Sequence, residues 1–223
     1  MHIEPELISP EKMLLAYATA AAAGGLTIKF ALDALRERGP LSLLARTALS
    51  AGAVFTFFQV FPHYPVGISE VHLILGSTLL LVFGAAPAAI GLALGLLIQG
   101  LFFAPFDLPQ YFANVTTLVA PLVAIKFLAD RIIRPDTAYV DLRYGQALAL
   151  SATYQGGVVL WVAFWAFYGQ GFGAENLSQV VSFGGAYMLV VLIEPLADLL
   201  VLAGAKLARG LGKSGLVTPR LYA

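Results

Sequence analysis

The stretch VHLILGSTLLLVFGAAPAAIGLALGLLIQGLFFAP, residues 71–105, decides the fold. A helix crossing hydrocarbon needs about 20 mostly apolar residues, covering about 30 Å with every backbone group satisfied internally. Gly84-Ala85-Ala86-Pro87 divides the stretch, since proline suits the first turn of a helix. The stretch therefore reads as a hairpin of two spans, a short one at 71–85 and a second at 87–105. Working outward on the same criterion gives spans at 13–34, 42–62, 111–129, 145–168 and 180–205. Strand-type alternation over ten-residue units, the mark of a membrane barrel, is not visible. The expected fold is all-α: a polytopic integral membrane helical bundle of seven transmembrane helices. Residues 1–12 form an outer N-terminal segment, 13–205 the bundle and 206–223 a tail, all in a single domain of 223 residues.

Composition agrees. Hydrophobic residues make up 59% of the chain and charged residues 12%, with a mean hydropathy of +0.83. Soluble domains are about 45–50% apolar and about a quarter charged, so lipid is the expected solvent and a soluble enzyme is excluded. Thirteen Lys plus Arg balance thirteen Asp plus Glu, which removes the electrostatic case for nucleic acid. Cysteine is absent, and with it any disulfide, thiolate metal site or cysteine nucleophile.

Threading the spans with the amino terminus outside puts Lys29, Arg36, Arg38, Arg46, Lys126, Arg131, Arg134, Arg143, Lys206, Arg209, Lys213 and Arg220 on one side, and only Lys12 opposite. The positive-inside rule then places the amino terminus outside and the carboxyl terminus inside, which needs an odd number of spans. Glu4, Glu6, Glu11, Glu70, Asp107 and Glu175 fall outside. Trp161, Trp165, Tyr168, Tyr64 and Tyr111 fit an interfacial aromatic belt. The acidic leader argues against a cleavable signal peptide, and the bulky His2 is expected to keep Met1 in place.

The same threading places all three histidines, His2, His63 and His72, on the outer side. Imidazole suits Ni²⁺, Co²⁺, Zn²⁺ and Cu²⁺. A free amine on Met1, the amide nitrogen of residue 2 and the His2 ring can close two fused chelate rings around one ion; the alternative is a frayed terminus. His72 follows a turn at Gly67, with Ser69 reading as an N-cap, so it is expected in the first turn of span three; its alternative is a loop hydrogen bond. Gly76 leaves room there for a neighbour. His63, between Pro62 and Tyr64, reads mainly as structural, with a supporting or ligand role at a metal as the alternative. Gln99, Asn114, Gln155 and Asn176 should face the bundle interior, and Asn114 could brace a metal-binding imidazole or act as interhelical glue. Glu194-Pro195 with Asp198 puts two carboxylates within span seven, read as contacts to a partner subunit, against a proline-kinked helix that snorkels its acids. Small residues at 20–25 and Gly91-x-x-x-Gly95 allow close backbone approach. The tail sequence Gly210-Leu211-Gly212-Lys213-Ser214 lacks the leading glycine of a phosphate loop, so energy from ATP would come from another chain.

Met1-His2-Ile3 at the terminus, the histidine after a glycine turn, Leu-Gly-Leu-Leu-Ile-Gln-Gly-Leu-Phe-Phe at 94–103 and Ala113-Asn114 together resemble the CbiM/NikM family. Its members are substrate-binding membrane components of energy-coupling factor transporters for cobalt and nickel. The resemblance implies a transported Co²⁺ or Ni²⁺ held by the amine of Met1, the amide nitrogen and ring of His2, and the imidazole of His72. Asn114 matches a segment close to the metal loop. It also implies a transmembrane coupling subunit, cytoplasmic ATPase subunits, a small accessory membrane protein in some systems, residence in the cytoplasmic membrane, and neither catalysis nor a permanent cofactor. Glu4-Pro5-Glu6, the single Gly67 and Ala104-Pro105-Phe106-Asp107 depart from the family pattern. Two rival readings are a component carrying an organic vitamin past Trp161 and Trp165, and a non-transporting scaffold that uses Glu194 and Asp198 for partner contact. An intramembrane hydrolase built on Ser151 or Ser182 has no histidine at membrane depth beside it.

Overall fold

Gly39-Pro40 breaks the first apolar segment inside the loop expected between spans one and two. The computed structural model describes residues 7–222, and in it α1 runs Met13–Phe55 with a non-helical Gly39 at φ 74°, ψ 176°. Glycine adopts that left-handed φ without steric cost, and Pro40, with its fixed φ, restarts the helix. Five hydrogen bonds orient the halves. Lys12 Nζ donates to the carbonyls of Tyr168 (2.6 Å) and Gly169 (3.1 Å). Arg38 donates to the carbonyl of Gly212 at 2.8 Å, and the carbonyl of Phe58, just past α1, accepts from Gln99 at 3.4 Å. Gln110 in turn reaches the carbonyl of Ile8 at 3.5 Å. Lys12 and Phe58 thus share one end of the molecule, called here the histidine end, while Arg38 marks the opposite, basic end. The two halves of α1 run antiparallel.

After a wide turn of π geometry at Thr56–Val60, the chain forms a hairpin in place of the expected helix start. Strands β1 (Tyr64–Val66) and β2 (Ser69–Val71) pair antiparallel, Tyr64 opposite Val71 and Val66 opposite Ser69. Gly67, at φ 60°, makes the turn, and a Cβ there would lie 2.6 Å from the carbonyl oxygen of Gln179. The hairpin tip is therefore seated directly on helix α6 (Ala174–Val190). Ser69 belongs to a strand and caps no helix, which corrects the sequence reading of the third span. Helix α2 begins only at Gly76 and ends at Phe83. Eight residues rise about 12 Å, less than half the hydrocarbon thickness, so the rest of that passage is non-helical backbone, with His72, Ile74 and Leu75 buried in protein.

Helices α3 (Ala85–Phe102), α4 (Tyr111–Ile132), α5 (Tyr144–Gln170), α6 (Ala174–Val190) and α7 (Glu194–Leu207) complete the bundle. Among the described residues five stretches are long and apolar enough to cross a membrane: Pro10–Val60, Ala85–Phe102, Pro105–Ile132, Tyr144–Gln170 and Ala174–Leu207. The chain is a polytopic helical membrane protein. Gly91 and Gly95 let α3 lie against Ser50 and Val54 of α1, where any Cβ would overlap those side chains. By contrast Gly24 and Gly25 face nothing within 4 Å, while Ala23 beside them packs against the core. Trp165 is fully buried and Trp161 donates to Thr116 Oγ1 at 3.1 Å. These two belong to the helix packing, which corrects their place in an aromatic belt; Tyr64 and Tyr168 do remain exposed. At the basic end the tail folds back: Thr218 N donates to the Val82 carbonyl at 2.8 Å, and Arg220 pairs with Asp130 at 3.1 Å.

Candidate metal centre

His72 directly follows β2 and has 1% of its surface exposed. Glu70, on the strand, meets it, Oε2 to Nε2 at 2.9 Å, and the remaining exposure of the carboxylate keeps that end of the site near solvent. The carboxylate orients the ring: Nε2–H donates to Glu70, and a neutral ring held this way would offer Nδ1 as its lone-pair nitrogen. The rings of His63 and His72 stack at 5.0 Å between centroids, 12° from parallel, and Phe58 closes the other side at 5.2 Å. His63 itself is half-buried, its Nδ1 placed 3.2 Å from the carbonyl of Phe61. The structure thus brings two of the three histidines into contact at one end.

Met1 and His2 lie outside the described residues. The chain enters the description at Leu7 and Ile8, both buried, with Leu7 and Ile68 of the hairpin lining one cavity. Gln99, Asp107, Gln110 and Asn114 are buried at the same end, and Asn114 borders a small pocket with Asp107, Leu108 and Tyr111. Of these, Gln110 reaches the N-terminal segment through the Ile8 carbonyl. Among the described residues no three His, Asp or Glu side chains converge as a metal cage.

Glu194 and Asp198 serve a different place from the one the sequence suggested. Both are fully buried, so neither is presented to a partner subunit and neither snorkels to the membrane surface. Glu194 accepts from the amide of Leu75 at 2.8 Å and from Ser151 Oγ at 3.1 Å; Asp198 accepts from Ser77 Oγ at 2.7 Å and from Thr78 Oγ1. The physical reason is the short α2. Its first turn lies inside the bundle with unsatisfied amides and a left-handed Leu75 at φ 54°, and the two carboxylates, four residues apart on one face of α7, satisfy what water cannot reach. Gly76 lets the Tyr154 ring pack against this turn, where a Cβ would collide with it.

Sequence reasoning missed Glu70 as the partner of His72 and Leu75, Ser77 and Thr78 as partners of the α7 carboxylates. The i, i+2 spacing of Glu70 and His72 carried the first signal, and the i, i+4 spacing of Glu194 and Asp198 opposite a Ser-Thr pair carried the second.

With this geometry in hand, residues 2–209 match the family model for CbiM, the cobalt uptake substrate-specific transmembrane region. The chain belongs to the CbiM family. No curated relative matches it. A solved structure described as a crystal structure of a truncated transition metal transporter superposes with a TM-score of 0.71 at 18% identity, covering 94% of this chain and 99% of that one. At that identity the likeness establishes the fold. Membership of the CbiM family makes the chain a membrane component of cobalt or nickel uptake, and places the transported ion as its substrate.

Proposed function

We propose that this CbiM-family protein is the metal-binding membrane component of an ATP-driven importer of the energy-coupling factor type. It takes up Co²⁺ or Ni²⁺ from outside and works with a transmembrane coupling subunit and cytoplasmic ATPase subunits, with room for a small accessory protein. The proposed ligands are the Met1 amine, the amide nitrogen and ring of His2, and Nδ1 of His72. Asn114 and Glu70 support the ligands without binding the ion, and His63 covers the His72 ring. The observation that carries this reading is the buried His72, oriented by Glu70 at the end of the molecule where the N-terminal segment enters at Leu7. Six residues precede Leu7, an extended chain covers about 3.3–3.6 Å per residue, and Leu7 shares a cavity with Ile68, four residues before His72. Planar nitrogen donors favour Ni²⁺ and accept Co²⁺.

The protein is proposed to sit in the cytoplasmic membrane with seven crossings, the histidine end outside and the basic end inside. The antiparallel halves of α1 and the non-helical passage ahead of α2 support that count. Lys12 at the histidine end, against Arg38, Lys206 and Arg220 at the other, supports the orientation.

Nickel titration of tag-free protein at pH 7.5 tests the site. His72→Ala, or a residue added ahead of Met1, should each weaken binding by at least about tenfold, since each removes one strong donor. Because protons compete with metal for imidazole nitrogens, binding at pH 5 should be weaker than at pH 7.5. Unchanged affinity in the extended protein would defeat the terminal site.

A further inference from the structure

At the basic end, α1 and α4 enclose a cavity of about 350 Å³, roofed by residues 84–87 and bordered by Thr218 and Arg220 of the tail. Arg46 lines it and is 1% exposed. Its guanidinium donates to the carbonyls of Phe83 (2.8 Å) and Ser42 (3.4 Å), while Nη2 has no hydrogen-bond partner. None of the ion pairs among the described residues includes Arg46. Carbonyl dipoles do not neutralise a buried cation, and an uncompensated buried charge is strongly unfavourable. Three acids line the same cavity. Asp130 already pairs with Lys126 and Arg220, and Asp33 lies 3.6 Å from Arg36, which leaves the exposed Glu37 as the internal competitor.

Two more features add positive potential. Lys29 stands at the rim, Lys126 and Arg220 share Asp130 and so leave one positive charge over, and α3 opens on the cavity with Ala85 and Ala86, whose amides precede the first intrahelical bond from Ala88 to Gly84. The flank is apolar: Ile28 and Leu32 on α1 and Phe127 on α4 are exposed beside the two lysines. Basic pockets between transmembrane helices next to lipid-facing apolar surface match the chemistry of an acidic headgroup with its tails.

We propose that this cavity binds a phosphate-bearing anion, with Arg46 as the deep ligand and Lys126 and Lys29 at the rim, the headgroup of an anionic phospholipid being its source. The site is separate from the metal centre at the opposite end. It would tie the packing of α1, α3, α4 and the tail to the lipid around them.

The test uses the full chain in nanodiscs of phosphatidylcholine with rising phosphatidylglycerol, read by thermal unfolding and by native mass spectrometry of retained lipid. Wild-type protein should gain stability and retain phosphatidylglycerol. A basic residue near a membrane surface is worth about a factor of five in such binding, so Lys126→Gln should need about fivefold more phosphatidylglycerol, and Arg46→Gln at least as much. Should Arg46→Gln fail to fold, Lys126→Gln carries the test. Inorganic phosphate added to pure phosphatidylcholine discs separates the sources: stabilisation by phosphate alone assigns the site to a free anion and overturns the lipid source. Equal lipid response in wild type and Lys126→Gln overturns the site. So would a lipid-independent loss of stability in Glu37→Gln matching that of Arg46→Gln, because Glu37 would then be the counter-charge.

Discussion

Asp198 accepts hydrogen bonds from the hydroxyls of Ser77 and Thr78 in a part of the bundle that water does not reach. Leaving one buried donor without an acceptor costs about 1–3 kcal/mol. Asp198→Ala strands two, so it should lower the unfolding free energy by about 2–4 kcal/mol, seen as an earlier thermal transition in detergent. Asp198→Asn keeps one carbonyl acceptor and should lose roughly half as much. If Asp198→Ala melts with wild type, the carboxylate is not what holds α2. The identity of such residues was legible in the sequence, whereas their partners were not. Carboxylates at membrane depth announce a purpose, but the partner of Asp198 lies 120 positions away at Thr78, beyond any local pattern. Glu70 is the reverse case. It lies two residues from His72 and escapes a helical reading, because Ser69 looks like a helix cap and in a helix i and i+2 point apart, whereas Glu70 is on β2 with His72 just past its end.

The hairpin that precedes α2 is the element in which composition misled. Hydropathy registers that residues 71–85 are apolar enough for lipid, yet it cannot register that Ser69–Val71 pair with Tyr64–Val66 or that the helix waits until Gly76. Non-helical backbone is admissible there because α6 and α7 supply contacts that a lipid-exposed segment would lack. The break in α1 was readable, since Gly39-Pro40 sits between two apolar runs and proline interrupts a helix wherever it falls. Gly67 links the hairpin to the site. Holding a side chain at its φ of 60° costs about 1–2 kcal/mol before the approach of the Gln179 carbonyl is counted. Gly67→Ala should therefore lift the hairpin tip off α6, move Glu70 and His72 with it, and weaken nickel binding by about tenfold, since 1.4 kcal/mol is a factor of ten. Calorimetric titration measures this, and wild-type affinity in Gly67→Ala would mean that the seat of the hairpin on α6 does not position His72.

For the molecule as a whole, the arrangement of the two ends follows from the antiparallel halves of α1 and the distribution of charge along the chain. Lys12, with its contacts to the Tyr168 and Gly169 carbonyls, stands with the histidines, and the remaining twelve Lys and Arg were threaded to the other side. A chain without cysteine lets each position be probed from a silent background. Glu11, Tyr64 and Glu175 are exposed at the histidine end; Arg36, Arg134 and Lys213 are exposed at the basic end. Single cysteines at Glu11, Tyr64 and Glu175 should react with a membrane-impermeant maleimide on intact cells, while those at Arg36, Arg134 and Lys213 should react only after permeabilisation. Reaction of Arg36→Cys together with Glu11→Cys on intact cells would mean that the first half of α1 does not cross the membrane, and the count of seven would fall. A full reversal of the pattern would keep the count but turn the metal site toward the cytoplasm. An importer that collects its ion from outside could not work that way, so this labelling tests the proposed direction of transport without measuring transport itself.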